Sequence, residues 1–588
     1  MTIETTDVDT LSIVPIVPEE LTELEGEIGA FRRGERAAAQ FQSFRLRQGI
    51  YGQRQADAHM YRVKIPGGIL TAAQLEALGD IARDYAPLGK GHITTRENVQ
   101  YHHVPLEDTA RVMRRLNQAG LSSREACGNT VRNVVTCPLA GVCRDEVFDV
   151  VPYLTAFVRY FVRKPFTQNM PRKFKPSFSP CASDCAVAPF HDIGFVAQVR
   201  EVDGELRQGF RIHVGGGSSI MPRAAKPLYD FVPVEEYLRV SEAILRVFNK
   251  ADMLRKNRMM ARIKVLIDRI GLDAFREQVE AELREPWAAE PIDPTRWMLR
   301  RYEPTPPPAV AANGLGHDDA AFQRWRQTNV VPQRQPGYAA AYVTVPLGDL
   351  SAAQFHGLAA LTRRYANGQA RATVEQNLAL RWVPEGKLYD LWRELVALDL
   401  GEAGAQEITD ITSCPGTDSC KLGITSSMGL NRALRRALDG EDLSDPLVRK
   451  LHIKISGCPN GCGRHHLGNI GFHGAAVKSP DGRQVPAYEL FVGGEYEGGR
   501  FHFAERAGEK IPAHRVPEAV RRILAHYRAE RLPGEEFNAF VQRVGPAAIG
   551  QLVAGLRPIE AEAAADLFVD FDRSAAYRVE RGEGECAV

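Results

Sequence analysis

TSCPGTDSCKLG (412–423) and SGCPNGCGRHH (456–466) carry four cysteines in two short loops. Cys414 and Cys420 stand as C-x5-C, and Cys458 and Cys462 as C-x3-C. Glycine and proline around them let the backbone turn tightly over a compact ligand. Four thiolates on such turns suit a tetrahedral zinc ion or an iron–sulfur cluster. Zinc ribbons usually pair two C-x2-C turns, which neither loop matches, so a cluster is the better reading.

The pattern occurs twice. Cys137 and Cys143 are C-x5-C, Cys181 and Cys185 are C-x3-C, and each lies 277 residues before its counterpart (414 minus 137). HDIGF (191–195) repeats as GNIGF (468–472), and HVGGG (213–217) as FVGG (491–494). Upstream, Tyr61, Val63 and Ile65 alternate as in a half-buried strand, and Thr71 with Gln74 forms a capping box. Leu75, Leu78, Ile81 and Tyr85 then follow at helical spacing. A second strand (92–104) and a helix (107–120) complete a strand–helix–strand–helix unit. AYVTVPLGDLSAAQFHGLAALTRRYA (341–366) and ATVEQNLALRWVP (372–384) repeat it, with Ser351 and Gln354 as the box. One module has been duplicated and fused.

The expected organisation is a loosely docked leader (1–40), a half-domain (41–122), a larger domain (123–302), a linker (303–336), a second half-domain (337–403), a second larger domain (404–555) and a tail (556–588). FRLRQGIYGQRQ (44–55) reads as a basic loop approaching something anionic. The 234–283 and 516–529 stretches read as helical.

The 588 residues allow several cores, and the formal charge of +1 points to no nucleic acid. No apolar run reaches about 18–20 residues, so no membrane span is expected. A cytoplasmic chain with reduced thiols follows. Eight of the ten cysteines fall into the two matched sets. Cys127 reads as a buried small hydrophobe, and Cys586 has no mate in the repeat. His465 and His466 read as hydrogen-bonded or solvated histidines rather than ligands. HVGGG lacks dinucleotide-loop spacing and is expected to pack against a flat macrocycle.

SCPGTDSCKLG with SGCPNGCGRHHLGNIGF, and TTRENVQYH, VRNVVTCPLAG and MPRKFK in the first half, resemble the sirohaem-dependent nitrite and sulfite reductases over about residues 40–550. The resemblance implies an α+β fold with pseudo-twofold duplication. Each copy would be a ferredoxin-like β-α-β-α half-domain plus a sirohaem/iron–sulfur α+β domain. It implies that Cys414, Cys420, Cys458 and Cys462 hold a four-iron, four-sulfur cluster, with Cys462 also the axial ligand of sirohaem iron. It implies six-electron reduction of sulfite to sulfide, or of nitrite to ammonia.

A small oxyanion and a polycarboxylate cofactor both need fixed cations. By the family motif, Arg96, Arg132, Lys173 and Lys175 are the substrate-binding and proton-donating residues. Arg96 is expected on a strand, and Lys173 and Lys175 on one face of another. Their counterparts in the second copy are Glu375, Thr409, Lys450 and His452, so the cationic set belongs to the first copy. The first copy is expected to lay these cations over a sirohaem held by the second copy's cluster.

For Cys137, Cys143, Cys181 and Cys185 three readings stand: remnants packed as hydrophobes, a second cluster, or a silent sirohaem-like site. SPCASDCA lacks the glycines of SGCPNGCG.

In the family, the residue two after the first active-site lysine tends to be Lys in sulfite reductases and Asn in nitrite reductases. Lys175 points to a ferredoxin-type assimilatory sulfite reductase, with ferredoxin–nitrite reductase as the alternative. No flavin or nicotinamide module is visible, so electrons come from ferredoxin or a separate flavoprotein. RAAKP (223–227) and RKNRMMARIK (255–264) are the candidate docking segments. The enzyme is expected to be a monomer. A non-enzymatic iron–sulfur carrier or sensor, or a colourless zinc protein, are the rivals from other classes.

Overall fold

The computed structural model describes residues 10–312, 314–560, 564–582 and 584–585. Cys586 lies outside them.

The two half-domains are built into each other. The first sheet runs Ile50–Gly52, Ala58–Val63, Val99–Pro105, Lys90–Ile93 and then Asp349–Ser351, a strand from the second copy. The second runs Val330–Pro332, Tyr338–Val343, Leu378–Pro384, Gln369–Ala372 and then Ile69–Thr71, from the first copy. Both sheets are antiparallel, and each half thus completes the other's edge. Gly68 and Gly348 make the exchange feasible. Each has positive φ (65° and 71°), and a Cβ there would lie 2.2 Å from Ala372 O and 2.8 Å from Ile93 O respectively.

Each exchanged strand runs straight into its capped helix, Ala72–Asp84 or Ala352–Tyr365. Both capping boxes form as expected. The helices lie against each other over one apolar core that draws on both copies, from Leu24 to Leu400.

The larger domains repeat one sheet. In the first, Val135–Thr136, Pro176–Ser179 and Ile193–Val202 are parallel, followed by antiparallel Glu205–Val214 and Lys226–Pro233. In the second, Thr412–Ser413, Ile453–Ser456 and Ile470–Lys478 are parallel, followed by Gln484–Val492. The register is the same: Val135 faces Ser177, and Thr412 faces Lys454. The helical stretches form as expected, including Tyr237–Lys250 and Val516–Glu530, and each domain has its own core.

Several expectations need correction. The leader is docked: Leu11, Ile13 and Val14 are buried, and the helix Glu19–Arg32 buries Leu24 and Ile28. The linker holds a helix, Ala320–Asn329, and an edge strand, Val330–Pro332, which repeat Ala38–Arg47 and Ile50–Gly52. The duplication therefore begins earlier than the half-domain boundaries at 41 and 337. FRLRQGIYGQRQ is mostly a helix end and a strand rather than a loop. The tail folds back over the cysteine loops. Glu585 accepts from Arg45 at 2.6 and 2.8 Å, from Gly52 N at 2.8 Å and from Lys421 at 3.1 Å.

No helix among the described residues is long and apolar enough to cross a membrane.

Candidate active site: a cationic cleft facing four thiols

One cleft with a volume of about 260 Å³ brings together residues far apart in sequence. Its walls include Arg96, Arg132, Lys173 and Lys175 from the first copy and Cys414, Cys420, Cys458 and Cys462 from the second. Arg62, Arg172 and Arg464 add three further cations, and no Asp or Glu lines it among the described residues. Tyr51–Gln53 also line it, so the 44–55 stretch does reach the site.

The local placement differs from the expectation in part. Arg96 sits in the turn between Lys90–Ile93 and Val99–Pro105, not on a strand. Asn133 braces that turn, donating through Nδ2 to Arg96 O at 2.9 Å and to Ile65 O at 2.8 Å. Arg96 in turn donates through Nη2 to Asn133 O. Its Nε is buried without a partner. Burial, then Arg464, lowers its pKa from the usual guanidinium range to about 9. It still carries its charge at neutral pH.

Arg132 donates through Nε to Gly128 O at 2.9 Å and through Nη1 to Ala126 O at 2.7 Å, fixing its guanidinium plane. Lys173 and Lys175 precede the strand Pro176–Ser179, in extended chain. Phe174 between them is fully buried, so both lysines take the cleft side, as alternation requires. Lys175 N donates to Asp192 Oδ2 at 2.8 Å, and Asp192 also binds Arg262 at 2.7 and 2.9 Å. Burial first, then Arg262, Lys173 and Arg96, hold the Lys175 ammonium well below the ordinary lysine range.

The thiol side stands on glycine. A Cβ on Gly457 would lie 2.6 Å from Gly416 Cα, so these two loops touch backbone to backbone. Gly457 N donates to Cys414 Sγ at 3.2 Å, and Asn460 Nδ2 to Cys458 Sγ at 3.5 Å. Burial pushes the Cys414 thiol up to about 11, so loading a metal must displace its proton. The two copies are clamped here. Thr95 Oγ1 donates to Cys462 O at 2.9 Å, and Arg464 Nη2 donates to Thr95 O at 2.6 Å.

Arg464 is a site residue that sequence reasoning passed over, although it follows Cys462 by two positions. Arg62 was hidden in a strand that otherwise reads as core. Cys127 is fully buried, with its Sγ accepting from Arg62 at 3.3 Å. His465 is buried, with its Nδ1 bonded to Ser456 Oγ at 2.9 Å. The HVGGG expectation is corrected: a Cβ on Gly216 would lie 2.3 Å from Pro189 O, so this run packs on backbone outside the cleft.

The donor chemistry fits both implied groups. Four thiols set apart on glycine-rich turns suit a four-iron, four-sulfur cluster. Seven cations without a carboxylate, one with an unpartnered buried Nε, suit a polycarboxylate macrocycle and an anion.

The Nitrite and sulphite reductase 4Fe-4S domain model matches residues 127–287 and 404–557. The Nitrite/Sulfite reductase ferredoxin-like half domain model matches 51–119 and 331–398. The chain is 30% identical over 541 residues to the assimilatory ferredoxin-dependent nitrite reductase of Haloferax mediterranei, covering 90% of this chain and 89% of that one. It is also 30% identical over 500 residues to the sulfite reductase [ferredoxin] of Mycobacterium tuberculosis, covering 83% of each. The solved structure of Mycobacterium tuberculosis NirA protein superposes with a TM-score of 0.73 at 26% identity, covering 93% of this chain and 98% of that one. With duplicated domains, thiol loops and cationic cleft in agreement, this chain is an oxidoreductase of the sirohaem-dependent nitrite and sulfite reductase family, with sirohaem and a four-iron, four-sulfur cluster as its cofactors.

Proposed function

We propose that the protein is an assimilatory sulfite reductase that takes its electrons from ferredoxin. The observation that carries this reading is the pairing of Lys173 and Lys175 on one wall of a cleft lined by seven cations and no carboxylate. Sulfite is present as both monoanion and dianion near neutral pH and nitrite only as a monoanion, so a second lysine favours sulfite. Lys175 is a lysine where the nitrite reductases tend to have asparagine.

In this reading Cys414, Cys420, Cys458 and Cys462 would hold the cluster, and Cys462 would also bind the sirohaem. When bound, these groups would relay the electrons taken from ferredoxin and supply a metal centre for the anion's reduction. Arg96 and Arg132 then grip the anion's oxygens with planar, charge-assisted hydrogen bonds. Lys173 and Lys175 hold protons at Nζ for oxygens that leave as water. The depressed pKa of Lys175 suits that task, because a proton held weakly is transferred readily. Arg262 and Asp192 fix the backbone from which Lys175 projects.

For the donor, the loop that leads into 223–227 links the second basic segment to the cluster loop. Lys264 Nζ donates to Ser218 O at 2.7 Å, and Ser219 Oγ donates to Asn460 Oδ1 at 3.4 Å. Ile220 and Met259 are 66% and 57% exposed there, with Arg223, Lys226 and Lys256 also exposed. Exposed cations on both segments favour an acidic ferredoxin over a neutral carrier.

The test compares kcat/KM for sulfite and nitrite with one ferredoxin. Sulfite should be preferred. A nitrite preference of about a hundredfold, near 2.7 kcal/mol in barrier, would transfer the assignment to ferredoxin–nitrite reductase.

A further inference from the structure

The first copy's cysteines sit in the same backbone frame as the second copy's. Cys137 follows Val135–Thr136 directly, as Cys414 follows Thr412–Ser413. Cys181 follows Pro176–Ser179 by two residues, as Cys458 follows Ile453–Ser456. The left-handed positions also coincide. Val187 has φ 58° where Arg464 has 59°, and Asp184 has φ 50° where Gly461 has 71°. A left-handed aspartate costs about 1 kcal/mol relative to glycine. The loop keeps its shape although the glycine is gone. Asp184 takes hydrogen bonds from Ser179 Oγ and from Ala188 N at 2.9 and 3.0 Å, which hold that shape.

The four thiols are gathered. Cys137 touches Cys185, Cys143 touches Cys181, and the two pairs lie within electrostatic range of each other. Among the described residues, no three Cys, His, Asp or Glu converge on a single ion in either copy. A centre that spans separated thiolates with its own bridging sulfides is what such a set can share. Cys137 and Cys181 are buried, whereas Cys143 is half-buried and Cys185 exposed, so the set is open to solvent on one side.

The surroundings exclude a second macrocycle. Arg381, fully buried, bonds Ala140 O and pairs with Glu303, and Glu303 also accepts from Trp382 Nε1 at 2.8 Å. Tyr302 OH lies 3.4 Å from where a Cβ on Gly141 would stand, so the chain itself covers this loop. Glu375 replaces Arg96, and His452 replaces Lys175 with its ring on Glu497 at 2.6 Å.

We propose that Cys137, Cys143, Cys181 and Cys185 hold a second iron–sulfur cluster, one with no haem attached. The experiment is iron, zinc, acid-labile sulfide and sirohaem per chain in anaerobically purified holoenzyme. About nine irons and eight sulfides per sirohaem are expected, against about five and four for a single cluster. The double substitution Cys143→Ser/Cys181→Ser should remove about four irons and leave the sirohaem absorbance in place. About five irons with full sirohaem, zinc in place of the added iron, or the four thiols recovered as two cystines would each overturn the proposal. None of these outcomes touches the family assignment, which the sirohaem spectrum reads separately. If the double variant fails to fold, the count on the unaltered chain decides.

Discussion

At the scale of single residues, two positions related by the duplication show how one frame serves opposite ends. Lys175 N donates to Asp192, and His452 N donates to Asn469 Oδ1 at 2.7 Å. The backbone bond is the same in both copies; the side chains differ. Asp192 carries a charge that Arg262 neutralises, and that ion pair places another cation beside Lys175. Asn469 is neutral and instead takes part in an amide contact with Asn538 at 3.1 Å. The cationic side of the molecule therefore follows from a few substitutions on an unchanged scaffold. Replacing Lys175 by Asn should lower kcat/KM for sulfite by roughly tenfold to a hundredfold while changing that for nitrite less, about 1.4–2.7 kcal/mol in relative barrier. Steady-state kinetics with both anions at one ferredoxin concentration checks it. Equal losses on both anions would mean that Lys175 binds without discriminating.

At the scale of elements, the loop before Thr412–Ser413 ties the second half-domain to its larger domain. Asp410 accepts from Asn377 Nδ2 at 2.7 Å and from Gln406 N at 2.9 Å. Burial holds its carboxyl up at about 6, above the ordinary value of 3.8. The folded chain thus keeps a proton that the unfolded chain has already released. Stability from this group is full below the unfolded value and falls as pH rises through about 6. Asp410→Asn keeps an acceptor for both bonds and removes the titration. The loss of unfolding free energy between about pH 4.5 and 7.5 should shrink by on the order of 2 kcal/mol in the variant, measured by urea denaturation. What the sequence made legible at this scale was local. Capping boxes, helical periodicity and cysteine spacing are written within a few residues, and those elements formed as read. The exchanged strands Ile69–Thr71 and Asp349–Ser351 were not legible. Each is three residues long, and its partner lies some 257 to 302 positions away. The cleft's two sides were legible as sets, because duplication with asymmetric substitution marks them. Arg62 and Arg464 were not, because a lone arginine beside a core strand or a cysteine reads as surface charge until the fold turns it inward.

At the scale of the whole molecule, neither copy is a free-standing domain. The half-domains exchange edge strands and share one core, so either half alone exposes an unpaired strand edge and the apolar faces of Ala72–Asp84 or Ala352–Tyr365. The site is divided the same way: four thiols from one copy, most of the cations from the other, joined by the Thr95–Cys462 and Arg464–Thr95 bonds. This interdependence constrains how the duplication could have persisted. A single copy could have completed its sheet only with a second copy of itself, as a symmetric dimer exchanging strands. In the fused chain the two sites differ: one is lined by cations, and beside the other Arg381 pairs with Glu303. Separate expression of residues 1–312 and 313–588 should therefore yield little soluble protein, roughly tenfold less or worse than the intact chain. Co-expression should restore a soluble heterodimer, because the exchanged strands supply the docking contacts themselves. The sirohaem spectrum should return only in that complex, and gel filtration with absorbance reads both results at once. A soluble, pigmented 313–588 fragment on its own would show that the second copy completes its sheet and its cleft without the first.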